Sequence, residues 1–166
     1  MLALEDLKDY SEEEVKEYLI NSYSGDRDDY RSSEDVLEQD KVRVQLKDCE
    51  VLIAYESVGA FGCDSSSMFL FRKDNTYYCL YGSHDSTSGF EGQFDMDPIS
   101  LIYLQSDKFH FPKGGYDESN GDNELAVKNY LAELCPACGK HIPNKEERLV
   151  HLDWEMEQNK YIPEVS

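Results

Sequence analysis

The sequence predicts an α+β protein in which a small antiparallel sheet is flanked by helices and followed by a C-terminal metal-binding unit. Strand-like runs occupy the middle of the chain, and apolar residues at helical spacing lie on both sides of it. No long helical pattern separates the strand-like runs, which favours antiparallel pairing. The predicted units are an acidic helical lead-in (1–40), an antiparallel β core (41–111), a linker (112–122) and a helix with the metal-binding unit (123–166).

The lead-in contains a well-marked helix start. Ser11 precedes three glutamates, so Ser11 and Glu14 fit a capping box, and Tyr10 and Val15 flank that box as a hydrophobic staple. An apolar stripe predicts that this helix packs on the protein, and its members are Val15, Tyr18 and Leu19. A solvated loop and a second, short helix near residues 33–38 are predicted to follow.

The β core is predicted from alternating and β-rich patterns. Val42, Val44 and Leu46 alternate with polar residues, which predicts a first strand. Further along, two β-rich runs joined by turn residues predict a hairpin. The remaining predicted elements are a strand within 50–58, the hairpin strands 68–71 and 76–81 with their turn at 73–75, and either a strand or a helix start at 99–104.

Two helices are predicted behind the linker. The first ends at Cys135, because the residue before a proline avoids the α region, and its apolar residues at helical spacing are Val127, Tyr130, Leu131 and Leu134. The second begins after Asn144, whose side chain can cap it with Glu147 at the third position. The apolar face predicted for this second helix consists of Leu149, Leu152 and Met156.

The chain is strongly acidic, with 35 Asp and Glu against 16 Lys and Arg and a net charge of −19. Residues 1–40 hold 14 of these acids and only 4 of the bases. A field of this sign repels phosphate backbones and anionic lipids, so we expect neither direct nucleic-acid binding nor membrane binding. No apolar run approaches the roughly 20 residues of a membrane span, and no targeting signal is present, so a cytoplasmic protein is expected.

The acidity has two interpretations. It keeps the protein soluble, or it forms a surface that docks onto a basic partner by imitating the phosphate array of a nucleic acid. In the second case the contact surface lies in the lead-in, joined by the acidic segment 117–124. The candidate partner-binding residues are then Glu12, Glu13, Glu14, Glu17, Asp26, Asp28 and Asp29.

A candidate metal site begins at Cys135-Pro136-Ala137-Cys138-Gly139, and His151 follows Cys138 after an x12 gap. Two cysteines on a short Pro- and Gly-containing turn can present two thiolates to one tetrahedral zinc ion. The x12 gap is the spacing at which a C2H2 finger returns a histidine to the metal. The alternative is a turn that carries free thiols. Cys49, Cys63 and Cys79 are expected to be free, buried thiols in a reducing cytosol.

Residues 135–155 resemble a C2H2 zinc finger in these cysteines, in the gap to His151 and in Ile142 at the place of the usual core aromatic. Two positions depart from the family, since Arg148 replaces its core leucine and Glu155 its second histidine. The fourth ligand is therefore open. Glu155 is the first candidate, His141 the main competitor and Asp153 a weaker one. The resemblance implies a zinc ion with a structural role.

The segment after the hairpin, Gly82 to Phe94, is polar and Gly-rich, and it contains His84, Asp85 and Glu91. Residues 50–100 resemble a group of uncharacterised bacteriophage accessory proteins, in which a hairpin runs into a Gly-Ser-His segment and then Gly-x-Glu-Gly-Gln-aromatic. Asp85 and Thr87 stand here where those proteins often carry cysteines. The resemblance implies a viral protein expressed in a bacterial host, and it implies no activity.

Three functions fit these patterns. The leading hypothesis is a non-enzymatic phage protein that binds a host protein with a basic, nucleic-acid-binding surface, and inhibits or redirects it. The first alternative is a small enzyme or a nucleotide- or small-ligand-binding protein that uses the loop with His84 and Glu91. Neighbouring residues of an extended chain face opposite ways, so Ser83, His84 and Asp85 do not form a triad. The second alternative is an assembly factor whose charge only keeps it soluble.

Overall fold

The computed structural model describes residues 1–24, 33–58, 65–84, 93–112, 120–136 and 138–157. Its elements confirm the predicted α+β class, with helices on both sides of the strands in the sequence. In chain order they are β1 (Leu2–Glu5), α1 (Glu12–Tyr23), α2 (Ser33–Lys47), β2 (Glu50–Val58), β3 (Ser65–Lys73), β4 (Thr76–His84), β5 (Asp97–Ile99), α3 (Leu101–Leu104), α4 (Asn120–Ala132) and α5 (Lys145–Glu157).

The sheet is mixed, and its strand order is β1-β2-β3-β4-β5. The pairs from β2 to β5 are antiparallel, as predicted. β1 pairs with β2 in parallel, so the prediction of a purely antiparallel sheet is wrong at this edge. A parallel pair needs a long connection, and α1 and α2 provide it. The four-residue β1 is too short to show a strand pattern inside the predicted helical lead-in.

The predicted hairpin is confirmed by β3 and β4, which pair continuously from Ser65 with His84 to Lys73 with Thr76. Its turn residues, Asp74 and Asn75, both have positive φ values of 50° and 64°. This is the backbone of a type I′ turn, whose twist matches that of the two strands, and Asn and Asp tolerate it. The segment at 99–104 contains both of the predicted alternatives, the end of β5 and then α3.

The segment 42–46 is part of helix α2, so the strand predicted there is wrong. Val42 and Leu46 are buried, with exposed fractions of 4% and 1%, whereas Val44 between them is 70% exposed. In a strand all three side chains would share one face. In a helix only positions four apart do so, and these are the two that are buried. Three alternating residues are compatible with the period of a strand and with that of a helix. Packing against the rest of the molecule determines that this segment is the helix α2.

This assignment predicts opposite effects for two valines of α2. Val44→Ala should leave stability unchanged or raise it by up to about 0.5 kcal/mol, because alanine has the higher helix propensity. Val42→Ala should lower the free energy of unfolding by about 2 kcal/mol, because it removes buried methyl groups. Urea denaturation of both variants measures these changes. A loss of stability in Val44→Ala as large as that in Val42→Ala would contradict the helix.

Helices cover both faces of the sheet. On one face α1 and α2 pack against β2, β3 and β4 in a buried cluster that contains Val15, Leu19, Phe69 and Leu80. On the other face α3, α4 and the segment up to Phe111 pack against Leu70 and Cys79 in a second cluster. Alternate side chains of β3 therefore point into two different cores, one on each face of the sheet. The capping box of α1 is present, since Glu14 N–H donates to Ser11 Oγ at 3.1 Å and Ser11 N–H to Glu14 Oε1 at 3.2 Å.

The two C-terminal helices differ in burial. α4 buries Val127, Tyr130 and Leu131 against the sheet, as its spacing predicted. α5 begins after Asn144, whose Oδ1 accepts the N–H of Glu147 at 3.1 Å, which confirms the predicted cap. Its predicted apolar face is not buried at Leu149, which is 49% exposed. Within the described residues no helix is both long and apolar enough to cross a membrane.

Candidate functional site

The predicted metal site lies on a tight turn directly after α4. Cys135 is fully buried, and Cys138 is half-buried. The turn is closed by two backbone hydrogen bonds, from Gly139 N–H to Cys135 O at 2.7 Å and from Cys135 N–H to Lys140 O at 2.8 Å. Gly139 has a φ of 73°, in the region that favours glycine. The turn is therefore short and closed, with one cysteine at each side of it.

Two side chains of the β3–β4 hairpin hold this turn against the sheet. Arg72 Nη2 donates to the carbonyl oxygen of Cys138 at 2.7 Å, and the Tyr77 hydroxyl donates to that of Gly139 at 3.4 Å. Arg72 also binds Asn75 Oδ1 at 2.9 Å, and its Nη1 lies 3.5 Å from Glu50. A Cβ on Gly139 would overlap the Arg72 guanidinium. Glycine is therefore required here both by φ and by space.

The electrostatics of the turn keep the metal-free Cys138 in its thiol form at neutral pH. Burial raises the pKa of the Cys138 thiol, the backbone N–H of Lys140 that donates to its sulfur acts in the opposite direction, and the adjacent Cys135 thiol raises the pKa again. A reactive nucleophilic cysteine needs a lowered pKa. Cys138 is therefore not activated as a nucleophile in the metal-free protein, and a metal ion would have to displace its proton in order to bind.

The other predicted ligands do not join the two thiols. Among the side chains that the structure describes, no group of three His, Cys, Asp or Glu lies close enough together to hold a metal ion. His151 is half-buried on α5. His141 is stacked on Tyr130, with ring centroids 4.0 Å apart, and its Nε2 lies 3.8 Å from Glu133 Oε1. The side chains of Asp153 and Glu155 lie outside the described part of the chain.

The predicted partner-binding glutamates have different roles in α1. Glu12 Oε1 accepts the N–H of Val51 at 2.9 Å, which ties α1 to β2, and Glu14 completes the capping box. Glu17 forms an ion pair with Arg43 of α2 at 2.7 Å. The side chain of Glu13 is 86% exposed. Asp26, Asp28 and Asp29 lie outside the described residues.

The predicted ligand loop is described only at its two ends. His84 closes β4, where its backbone pairs with Ser65, while its side chain and the residues Asp85 and Glu91 lie outside the described part. Gln93 holds the returning chain, because its side-chain amide accepts the N–H of Ser83 at 2.8 Å and donates to Ser83 O at 2.7 Å. Gln93 thus takes the place of a strand residue beside β4.

The sequence patterns did not reveal a buried cluster of hydrogen-bonded side chains around one carboxylate, that of Glu56. Glu56 is only 5% exposed, and it accepts hydrogen bonds from the hydroxyls of Tyr18 at 2.6 Å and Tyr23 at 2.8 Å. The Tyr23 hydroxyl also lies 2.8 Å from Ser67 Oγ. Burial first, and then the charge of Glu56, raise the pKa of Tyr23 above its ordinary value. The sequence signal for this cluster is a glutamate that directly follows the apolar run of β2, at a position that faces the core.

The described fold defines the chain as a mixed-sheet α+β protein with helices on both faces of the sheet. Comparison with protein-family models, with curated protein sequences and with solved structures finds no match. The functional inference therefore starts from two features of the molecule itself. These are the acidic surface around the start of α1 and the anchored cysteine turn.

Proposed function

We propose that the chain is a non-enzymatic protein that binds a partner with a basic surface through the segment from Glu5 to Glu17. We call the exposed carboxylates of this segment the acidic face, and its members are Asp6, Asp9, Glu13, Glu14 and Glu17. One observation carries the proposal. The segment has seven carboxylates and two lysines, and one of these lysines, Lys16, is buried and lies 3.9 Å from Glu12 and 3.8 Å from Glu13. Lys8 is the other lysine, and it is exposed.

The acidic face is carried by a fixed support. The capping box holds the start of α1, and the bond from Val51 N–H to Glu12 holds the helix on the sheet. The backbone that carries these charges needs no ordering when a partner binds, which lowers the entropic cost of association. A concentrated negative field also speeds the encounter with a basic protein, and this effect weakens as salt rises. These properties suit a partner whose own ligand is a phosphate backbone.

The biological setting that we propose follows from the resemblance of residues 50–100 to bacteriophage accessory proteins. In that setting the partner is a nucleic-acid-binding protein of the bacterial host, and occupation of its basic surface inhibits or redirects it. The acidic face would then act as a nucleic-acid mimic. Because the interaction is one of opposite charges, it makes a clear prediction about salt and about charge reversal.

The test is recovery of a host partner by the tagged protein from nuclease-treated bacterial lysate, across a series of salt concentrations. We expect one basic protein to be retained at low salt and released as salt rises. The double variant Asp9→Lys, Glu13→Lys should retain at least about tenfold less of it, because both changes reverse exposed charges. Glu13→Lys removes the 3.8 Å ion pair with Lys16, but Lys16 keeps Glu12 at 3.9 Å, so the variant should stay folded, with at most a small decrease in melting temperature.

The matched control carries the same change of net charge elsewhere. Asp107 and Glu146 are exposed, and Asp107 lies in the segment that packs on the opposite face of the sheet. The variant Asp107→Lys, Glu146→Lys should therefore retain the partner. Equal losses in both double variants would indicate a general charge effect and contradict a docking surface. A lysate from which nothing basic is retained at low salt would overturn the proposal.

A further inference from the structure

We propose that Cys135 and Cys138 together bind one soft divalent metal ion of the zinc class, and that this site is part of the sheet and not an independent finger. The site is separate from the acidic face, because it follows α4, on the other side of the sheet from α1. Three observations carry the proposal: the position of the two thiols, the backbone of the turn and its anchors on the hairpin.

The first observation is the position of the thiols. The chain is free of disulfide bonds at Cys49, Cys79, Cys135 and Cys138, and the last two lie on one turn that is closed by the hydrogen bond from Gly139 N–H to Cys135 O. Thiolates are the ligands that zinc and similar soft metals prefer. On binding, the metal ion replaces two thiol protons, which pass to solvent, and no electrons are transferred. The step therefore needs no oxidant and no reductant.

The second observation is the backbone of the turn. The N–H of Gly139 donates to Cys135 O at 2.7 Å, and the N–H of Cys135 donates to Lys140 O at 2.8 Å, so the backbone around both cysteines is held in one conformation. The positive φ of Gly139 makes this conformation available without strain. Hydrogen bonds in the shell around a metal site orient its ligands. The turn thus has its outer hydrogen bonds in place before metal arrives.

The third observation links the turn to the sheet. Arg72 and Tyr77 are directly opposite each other in the β3–β4 register, so their side chains share one face of the sheet. They hold consecutive carbonyls of the turn, those of Cys138 and Gly139. The Arg72 side chain is only 17% exposed. If a metal ion orders the turn, these two side chains therefore transmit that order to the hairpin. An independent zinc finger, which has no such anchors, would not stabilise the hairpin.

We assign the third ligand position to His151. The structure does not place it with the two thiols, so α5 has to shift for it to coordinate. Residues 145–150 are exposed apart from the half-buried Arg148, so a shift sacrifices no buried apolar contact there. Arg148 donates to the carbonyl oxygens of Ile142 and Pro143, so the helix has to pivot about this point. The spacing from Cys138 to His151 is the one that lets a helix return a histidine to a metal.

The metal site is tested with cobalt and zinc as probes, on the reduced full-length protein. Cobalt should bind with a stoichiometry of one per chain and show thiolate-to-metal charge-transfer absorption, and zinc should displace it. Cys135→Ser and Cys138→Ser should each abolish the charge-transfer band or shift it strongly, and His151→Ala should weaken binding. Cys49→Ala is the matched control, because it removes a buried cysteine of the core on the α1 and α2 face of the sheet, and it should bind metal like the parent.

Two results would overturn the metal site. One is a reduced, folded parent protein that takes up neither cobalt nor zinc. The other is metal uptake that survives both serine variants unchanged. If His151→Ala binds as tightly as the parent, the assignment of His151 is wrong and the two-thiolate site stands. Circular dichroism of each variant separates loss of a ligand from loss of the fold.

The link to the sheet is tested by hydrogen exchange and by Arg72→Met. Zinc should slow the exchange of amides in β3 and β4 as well as in the turn. Arg72→Met keeps the length of the stem but removes the donors to Cys138 O, and it should weaken zinc binding by about 10- to 100-fold. It should also remove the added protection in β3 and β4. Protection confined to the turn and α5 in the parent would overturn the link, while leaving the metal site intact.

Discussion

Replacement of Phe69 by alanine is expected to lower the free energy of unfolding by about 3–5 kcal/mol, the cost of a large cavity in a core. Phe69 is fully buried in the middle of β3. Its ring meets that of Tyr23 edge-on, with centroids 5.5 Å apart, and stacks on that of Phe71 at 6.3 Å. The side chain therefore joins α1 to the sheet, and its loss removes a ring contact from both neighbours.

Chemical denaturation measures this change, and Ile102→Ala provides the comparison. Ile102 is 53% exposed on α3, so its truncation should alter stability by no more than about 0.5 kcal/mol. A loss below about 1 kcal/mol in Phe69→Ala would mean that α1 does not pack on β3 as described. The acidic face would then lose its fixed support as well.

Alkaline pH is expected to unfold the protein steeply. Burial raises the pKa of Tyr77 and of Tyr130 to about 12, and burial and Glu56 raise that of Tyr23 further. A tyrosine is neutral when protonated, so above pH 10 the unfolded chain releases protons that the native protein keeps. The stabilisation is complete below pH 10 and is lost as the pH rises above it. Tyr23, which is fully buried, should alone remove about 1.4 kcal/mol per pH unit.

Urea denaturation at several pH values between about 9 and 11 measures this slope. Tyr23→Phe should lose about 1–3 kcal/mol at neutral pH, because Glu56 and Ser67 each lose a hydrogen-bond partner. Above pH 10 its stability should fall less steeply than that of the parent, by the contribution of one tyrosine. Parallel slopes in the two proteins would show that Tyr23 is not protected in the native state.

The parts of the fold that local chemistry determines were predictable from the sequence. The turn at Asp74 and Asn75 needs residues that accept positive φ, and the sequence supplies them between two β-rich runs. The caps at Ser11 and Asn144 are likewise local, because donor and acceptor are three residues apart. The end of α4 was predicted only approximately, because the helix ends at Ala132, three residues before the predicted Cys135, and Leu134 already forms a β-bridge with His141. Each of these signals is complete within a few residues.

The parts that depend on distant partners were not predictable. Nothing within residues 2–5 shows that β1 pairs in parallel with residues 53–56. Val42 and Leu46 become helical because the core at α1 and β2 is where they can be buried. Short apolar patterns fit both the helical and the strand period, and tertiary packing determines which of the two structures forms.

The same division applies to the candidate site. The Cys135–Cys138 turn is a local motif, and the sequence predicted its cysteines. Its anchors, Arg72 and Tyr77, are more than 60 residues away in the chain, and only the register of the hairpin and the packing of α4 bring them to it. The position of His151 also depends on how α5 packs. For this reason the zinc-finger spacing predicted ligands, but not the attachment of the turn to the sheet.

The amide of Gln93 has a consequence for how this protein behaves at high concentration. A strand at the border of a sheet can recruit a strand from another molecule, which is a common start of aggregation. β5 covers β4 at residues 77–79, and Gln93 occupies the backbone groups of Ser83 further along. The side chain of Gln93 thus blocks the addition of a strand from another molecule at Ser83, where β5 no longer covers β4. At the opposite border β1 is only four residues long and lies against α4, so little of it is free to pair.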